Sequence, residues 1–231
     1  MKPLWVLLPG MDGTGLLFEP FLKFVTAETL VISYPHDRVM NYNQLANLVI
    51  EKLPKRPLIL IAESFSGAVA QRVLQKAPGL VLGVVFVASF LQSPRPFLLR
   101  ISGFLPSLLF KPMPPMISRG FLLGSGADRA FVSLFQKAVR NVQPRVLRER
   151  LVMIAHLRSP QQKVHIPACC IHGAEDRLVP KSCSRHFTVS FPNLQTQIIL
   201  GPHLLLQAMP QISAQIISNF AARYQASSRS V

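Results

Sequence analysis

Short apolar strands alternating with amphipathic helices predict an α/β chain with a doubly wound, mostly parallel sheet of about six strands and a helical insertion after the fourth. Three observations carry that prediction. Six short runs are rich in Val, Ile and Leu throughout, as strands covered on both faces have to be. Helical patterns separate most of them, which suits crossovers between parallel neighbours. Between Leu91 and Ile166 the alternation lapses, in a stretch too long for a simple loop and too apolar for a disordered linker.

The first strand is Leu4–Leu8. The residues around it have a charge and an apolar run but no full-length leader core or small-residue cleavage site, so they read as structure. A loop containing Gly10, Gly13 and Gly15 leads to a helix over Leu16–Phe24 and a strand over Thr29–Ser33. A helix over Asn43–Leu53 precedes the third strand, Leu58–Ala62, which runs directly into a helix over Ser64–Lys76. Ala68, Val69, Val73 and Leu74 recur there at helical spacing, and Pro78-Gly79 ends it. Gly83–Ala88 is the fourth strand. The insertion, about 91–166, opens with Pro94, Pro96, Pro106 and a proline-rich run over Lys111–Pro115, then becomes helix-like over Asp128–Leu157. Strands over Ala168–His172 and Gln197–Leu200 flank a helix over Lys181–Val189, and a last helix covers Leu204–Tyr224. No internal repeat is evident. Residues 1–231 read as one domain in which the insertion forms a cap, its apolar side toward a cleft.

Hydrophobic residues make up 49% of the chain, yet no apolar stretch reaches membrane-spanning length: Leu80–Leu91 is too short, and Arg100 interrupts Phe97–Phe110. The three cysteines, Cys169, Cys170 and Cys183, are an odd number, and the adjacent pair in a strand would point to opposite faces. Two core thiols in a reducing, cytoplasmic setting are therefore expected. Nothing has metal-ligand spacing, and neither a metal nor a cofactor is expected. The net charge is +15, of which +10 falls within Leu91–Lys163, where Asp128 and Glu149 are the only acids. A basic apolar cap suits peripheral contact with an anionic membrane or lipid, while the plainer reading is a solvated basic face. Nucleic acid is not an expected partner, because the basic residues are interleaved with Leu, Phe and Pro and no reading motif is present.

The chemistry concentrates where the third strand stops. Leu58 to Gly67 reads Leu-Ile-Leu-Ile-Ala-Glu-Ser-Phe-Ser-Gly, a buried strand handing over at Ser64 to a helix, with small residues Ala62 and Ser66 on either side. Such a nucleophile elbow puts a serine in a strained turn and aims the unpaired N–H groups of a helix start at it. A helix-capping serine is the plainer alternative. A serine hydroxyl needs an imidazole to take its proton and a carboxylate to orient the imidazole, and on this kind of sheet they follow in the order serine, acid, histidine. The carboxylates after Ser64 are Asp128, Glu149, Glu175 and Asp176, and the first two lie in the insertion. Asp176, after the strand and turn of Ile171-His172-Gly173, is favoured over its neighbour Glu175. Beyond it stand His186, in a nearby helix, and His203, directly after the last strand; His203 is the base that can reach Ser64. His36, His156, His165 and His172 precede the acid. The oxyanion donors expected are the N–H of Phe65 and that of Met11 in the glycine-rich loop, with Asp12 as the alternative one residue on. The same loop lacks the spacing of a nucleotide cradle.

The segments Leu8–Gly15, Ala62–Gly67, His172–Pro180 and Gly201–His203 together resemble the α/β-hydrolase superfamily in its serine esterase and lipase-like form, over nearly the whole chain. The resemblance implies an eight-stranded sheet of which this chain lacks the first two strands. Pro9 stands where a histidine often precedes the loop glycine, and Ala62 where the first elbow glycine is usual. A serine rather than an aspartate nucleophile, beneath an apolar cap, points to hydrolysis of uncharged carboxylic esters through an acyl-enzyme. Acyl transfer and thioester cleavage use the same triad, and the loop from Leu8 is similar to one in plastid phytyl-ester synthases. A non-catalytic membrane- or ligand-binding protein on a hydrolase fold is the alternative from another class.

Overall fold

The computed structural model describes residues 2–94, 128–159 and 162–225. Residues 95–127 of the insertion, with Pro96, Pro106 and the proline-rich run over Lys111–Pro115, lie outside those residues. Six strands, β1 (Leu4–Leu8), β2 (Thr29–Val31), β3 (Leu58–Glu63), β4 (Val81–Val87), β5 (Ala168–Gly173) and β6 (Leu194–Ile199), form one sheet in the order β2-β1-β3-β4-β5-β6. Every neighbouring pair is parallel. The described helices are α1 (Glu19–Leu22, after a 3₁₀ turn over Leu16–Phe18), α2 (Tyr42–Lys52), α3 (Gly67–Lys76), α4 (Arg129–Arg140), α5 (Pro144–Ala155), α6 (Ser184–Ser190), α7 (Leu205–Ala208) and α8 (Pro210–Gln225).

The inner strands are mainly apolar because alternate side chains enter two different cores. Leu4, Val6, Leu8, Leu60, Phe86 and Cys170 meet α2, α3 and α6 on one face. Trp5, Leu7, Ile59, Ile61, Val85 and Cys169 meet α1 and α8 on the other. The adjacent cysteines thus part to opposite faces, and all three cysteines are buried. Each fully buried Leu or Ile contributes about 1.5–3 kcal/mol relative to exposure, so the central strands β1, β3 and β4 are the firm platform of the site.

Several boundaries differ from expectation: β2 stops at Val31, β4 runs from Val81 to Val87, and the first helix is a 3₁₀ turn followed by Glu19–Leu22. Three further differences have a plain physical reason. β6 begins at Leu194, three residues before the predicted Gln197, because this edge strand is only partly covered: Thr196 and Gln197, on opposite faces, are both exposed, and Gln195 is half-buried. The last predicted helix is two, α7 and α8, divided at Met209 before Pro210, whose missing N–H cannot continue α7. The helical part of the insertion is also two helices. α4 is capped by Asp128, whose Oδ1 accepts the Phe131 N–H at 2.7 Å, and Pro144 opens α5. Among the described residues no helix is long and apolar enough to cross a membrane.

Candidate active site

β3 ends at Glu63, and Ser64 starts a 3₁₀ turn over Ser64–Ser66 that passes straight into α3. Ser64 has φ 48°, a left-handed conformation that costs a non-glycine residue about 1–3 kcal/mol. The turn is held in it by its neighbours. Ser89 Oγ donates to the Ser64 carbonyl at 2.6 Å, and the Gly67 N–H donates to the same oxygen. A Cβ on Gly67 would collide with Ser89 Oγ and lie 3.0 Å from the Phe90 carbonyl. The requirement for a side-chain-free residue therefore falls on Gly67, not on Ser66 as the spacing suggested. Ser66 has a different part to play: its hydroxyl donates to the Pro9 carbonyl, so the Tyr34 phenol must donate to Ser66, at 2.5 Å. This staple ties the elbow to the end of β1.

The acid and base arrive from the next two strand ends. After β5, Asp176 Oδ1 accepts the N–H groups of Leu178 and Val179 at 2.8 and 2.9 Å. That leaves Oδ2 for His203 Nδ1, 2.8 Å away. His203 Nε2 lies 3.0 Å from Ser64 Oγ. A carboxylate accepting from Nδ1–H fixes the tautomer in which Nε2 carries a lone pair, and Ser64 can then donate its proton to Nε2. Burial alone would raise the Asp176 pKa. The hydrogen bond and charge of His203, together with the Val179 and Leu178 N–H groups, outweigh it and hold the carboxyl below its ordinary range. The histidine loop can come this close because β5 ends in a glycine. A Cβ on Gly173 would lie 2.5 Å from the carbonyls of Gly201 and Pro202.

The glycine-rich loop forms the opposite wall. The Gly13 N–H donates to the Gly10 carbonyl at 3.0 Å. Across a trans peptide this turns the Met11 N–H the other way. A Cβ on Gly10 would be 4.0 Å from Ser64 Cβ, so the Gly10–Met11 peptide flanks the serine. The Phe65 N–H belongs to the first helical turn, where no preceding carbonyl is in place to accept it. Asp12 is occupied within the loop, its Oδ2 accepting the Thr14 N–H at 2.9 Å and the Thr14 hydroxyl at 2.5 Å.

Of the residues singled out in the sequence, Ser64, Asp176 and His203 come together, with Met11 and Phe65 beside them. Glu175 is exposed and outside the group. His186 lies on α6, and His172 is buried with Nε2 3.0 Å from Cys170 Sγ. Sequence reasoning missed Arg150. It belongs to the basic insertion yet is only 3% exposed, and its guanidinium donates to the carbonyls of Met11, Asp12 and Pro35, each at 2.8 Å. It also missed the buried contact between Glu63 and Gln207, for which the lone charge at the end of an apolar strand was the available signal. Helices α4 and α5 complete the surroundings: Phe131, Val132 and Phe135 pack on Leu204, and Val139, Val142, Val146 and Leu147 on Met11. Among the described residues no cluster of His, Cys, Asp and Glu is placed to hold a metal ion.

A parallel sheet with a strained serine after its third strand, an acid after the fifth and a histidine after the sixth defines an α/β-hydrolase. Residues 27–205 match the family model described as serine aminopeptidase, S33, and the chain belongs to that family of α/β-hydrolases. Phytyl ester synthase 1, a chloroplastic protein of Arabidopsis thaliana, is 29% identical over an alignment of 162 positions that covers 64% of this chain. The chain spans only 23% of that relative's length. Among solved structures, the esterase EaEST from Exiguobacterium antarcticum is 12% identical with a TM-score of 0.79, covering 96% of this chain and 93% of its own. The carboxylesterase CesB from Bacillus subtilis is 16% identical with a TM-score of 0.69, covering 95% and 83%. At such identities these two likenesses concern the fold.

Proposed function

We propose that this α/β-hydrolase cleaves carboxylic esters of uncharged, apolar acyl groups through an acyl-enzyme on Ser64. The observation that carries the reading is the continuous hydrogen-bonded chain from Ser64 Oγ through His203 to Asp176, with separations of 3.0 and 2.8 Å. Ser64 Oγ attacks the ester carbonyl carbon while its proton passes to His203 Nε2. The resulting oxyanion is held by the N–H groups of Met11 and Phe65, each contributing about 3 kcal/mol in the transition state. Collapse expels the alcohol, which takes the proton from His203. Water then gives a proton to His203 and attacks the acyl carbon, and the freed acid departs as Ser64 regains its proton. Asp176 stays ionised, orients the ring and stabilises its cation. The apolar side chains of α4 and α5 beside Leu204 and Met11 suit an uncharged acyl chain.

Acyl transfer to a long-chain alcohol uses the same first half-reaction, and the name of the phytyl ester synthase relative favours it. Incubating p-nitrophenyl octanoate with and without a long-chain alcohol separates the two. The hydrolase reading expects p-nitrophenol with free octanoate under both conditions, and a carboxylate-bearing acyl ester at least about tenfold slower. Conversion of most of the acyl group to the new ester would replace hydrolysis by transfer. Equal rates for the charged and uncharged acyl groups would contradict the substrate class.

A further inference from the structure

We propose that Glu63 is a positioning residue for the Ser64–His203 pair, acting through Gln207; this rests on the serine-hydrolase reading above. Glu63 immediately precedes Ser64 and is 1% exposed. Its Oε1 accepts from Gln207 Nε2 at 2.9 Å. Gln207 stands on α7, the short helix that starts two residues after His203 and is fastened to it: the Leu205 N–H donates to the His203 carbonyl at 3.0 Å, and the Ala208 N–H to the Leu204 carbonyl at 2.9 Å. Two successive residues of the elbow thus bond two residues of one stiff segment. One contact, Ser64 to His203, moves the proton. The other, Glu63 to Gln207, fixes how far apart the two segments sit.

The pair is an expensive one to keep for packing alone. Gln207 Oε1 is buried without a hydrogen-bond partner among the described residues, and a half-satisfied buried amide costs stability that an apolar side chain would not. Burial pushes the Glu63 carboxyl up to about 7; the nearby Asp12 charge adds to the rise, while the Gln207 hydrogen bond and the His203 charge oppose it. The contact survives either charge state. An ionised Glu63 accepts from the amide nitrogen, and a protonated one can donate to the amide oxygen once the amide turns over. Glu63 Oε2 faces the Gly10 turn, 3.9 Å from where a Cβ on Gly10 would lie, so the carboxyl also backs the peptide that flanks the nucleophile.

The test compares Glu63→Gln, Glu63→Leu, Gln207→Leu and the double leucine variant for kcat and KM on p-nitrophenyl octanoate, and for the rate of inactivation by a fluorophosphonate. Displacing the reacting pair by a fraction of an ångström predicts kcat and inactivation rates about 10- to 100-fold lower in Gln207→Leu and Glu63→Leu, with KM changed by less than about twofold. Glu63→Gln, which keeps an acceptor oxygen, restores most of the loss. The double variant falls no further than either single one, since both remove the same contact. If Glu63→Leu does not fold, Gln207→Leu, which alters only an uncharged amide, decides alone. Rates within twofold of wild type in Gln207→Leu, or strictly additive losses in the double variant, overturn the proposal. Ser64→Ala is the parallel control: full activity there overturns the serine-hydrolase reading itself, whereas an inactive Ser64→Ala beside an unaffected Gln207→Leu overturns the positioning role only.

Discussion

Ser64→Ala is expected to lower kcat for ester hydrolysis by at least about 10⁴-fold while the protein stays folded. The hydroxyl is the group that bonds the ester carbon, and His203, still oriented by Asp176 at 2.8 Å, has no alcohol left to deprotonate. Alanine keeps a Cβ at φ 48° and so keeps the strain of the elbow. Ser64→Gly is expected to be equally inactive but about 1 kcal/mol more stable than Ser64→Ala in denaturant unfolding, because glycine adopts this conformation freely. A glycine variant no more stable than the alanine one would mean that the left-handed turn is not strained.

Arg150→Met is expected to cost about 4 kcal/mol of stability and to lower kcat about 10- to 100-fold, although residue 150 lies in the insertion. The guanidinium serves three backbone carbonyls, of Met11, Asp12 and Pro35, and a methionine side chain has no N–H to offer any of them. Its fit against the loop is tight. A Cβ on Gly13, which has φ 72°, would lie 2.6 Å from the Arg150 Nη1. Loss of the clamp frees the turn that sets the direction of the Met11 N–H, so oxyanion stabilisation falls along with stability. Arg150→Lys is expected to recover little, since a point-charge ammonium cannot span the three carbonyls. Urea unfolding and steady-state kinetics on the two variants check this. A stable Arg150→Met protein with unchanged kcat would remove the insertion from any part in organising the loop.

Much of this architecture could be read locally. β1 and β4, and β3 and β5 apart from Glu63 and His172 near their ends, carry no polar side chain because both of their faces are covered, and that pattern needs no knowledge of partners. The edge strands were harder. β2 is short, and β6 turns Thr196 and Gln197 to solvent, so the covered-strand pattern fails at both ends of the sheet. Ser64, Asp176 and His203 were legible because each follows a strand end in a fixed chain order, which a short list of later acids and histidines can satisfy in few ways. Ser66, Arg150 and Glu63 were not. Their roles depend on partners 57, 138 and 144 residues away, and nothing local distinguishes a serine replacing a glycine, or one arginine among many, from a neutral substitution. Only the folded chain shows that Gly67 carries the close approach to Ser89, which leaves position 66 free to bear a hydroxyl.

Labelling the protein with a fluorophosphonate and mapping the modified peptide by mass spectrometry tests the central claim most directly. The account predicts one phosphonylated residue, Ser64, appearing in step with loss of ester hydrolysis, and no label in Ser64→Ala. Modification of a different serine in step with that loss, or ester hydrolysis that continues in full with Ser64 labelled, would contradict it.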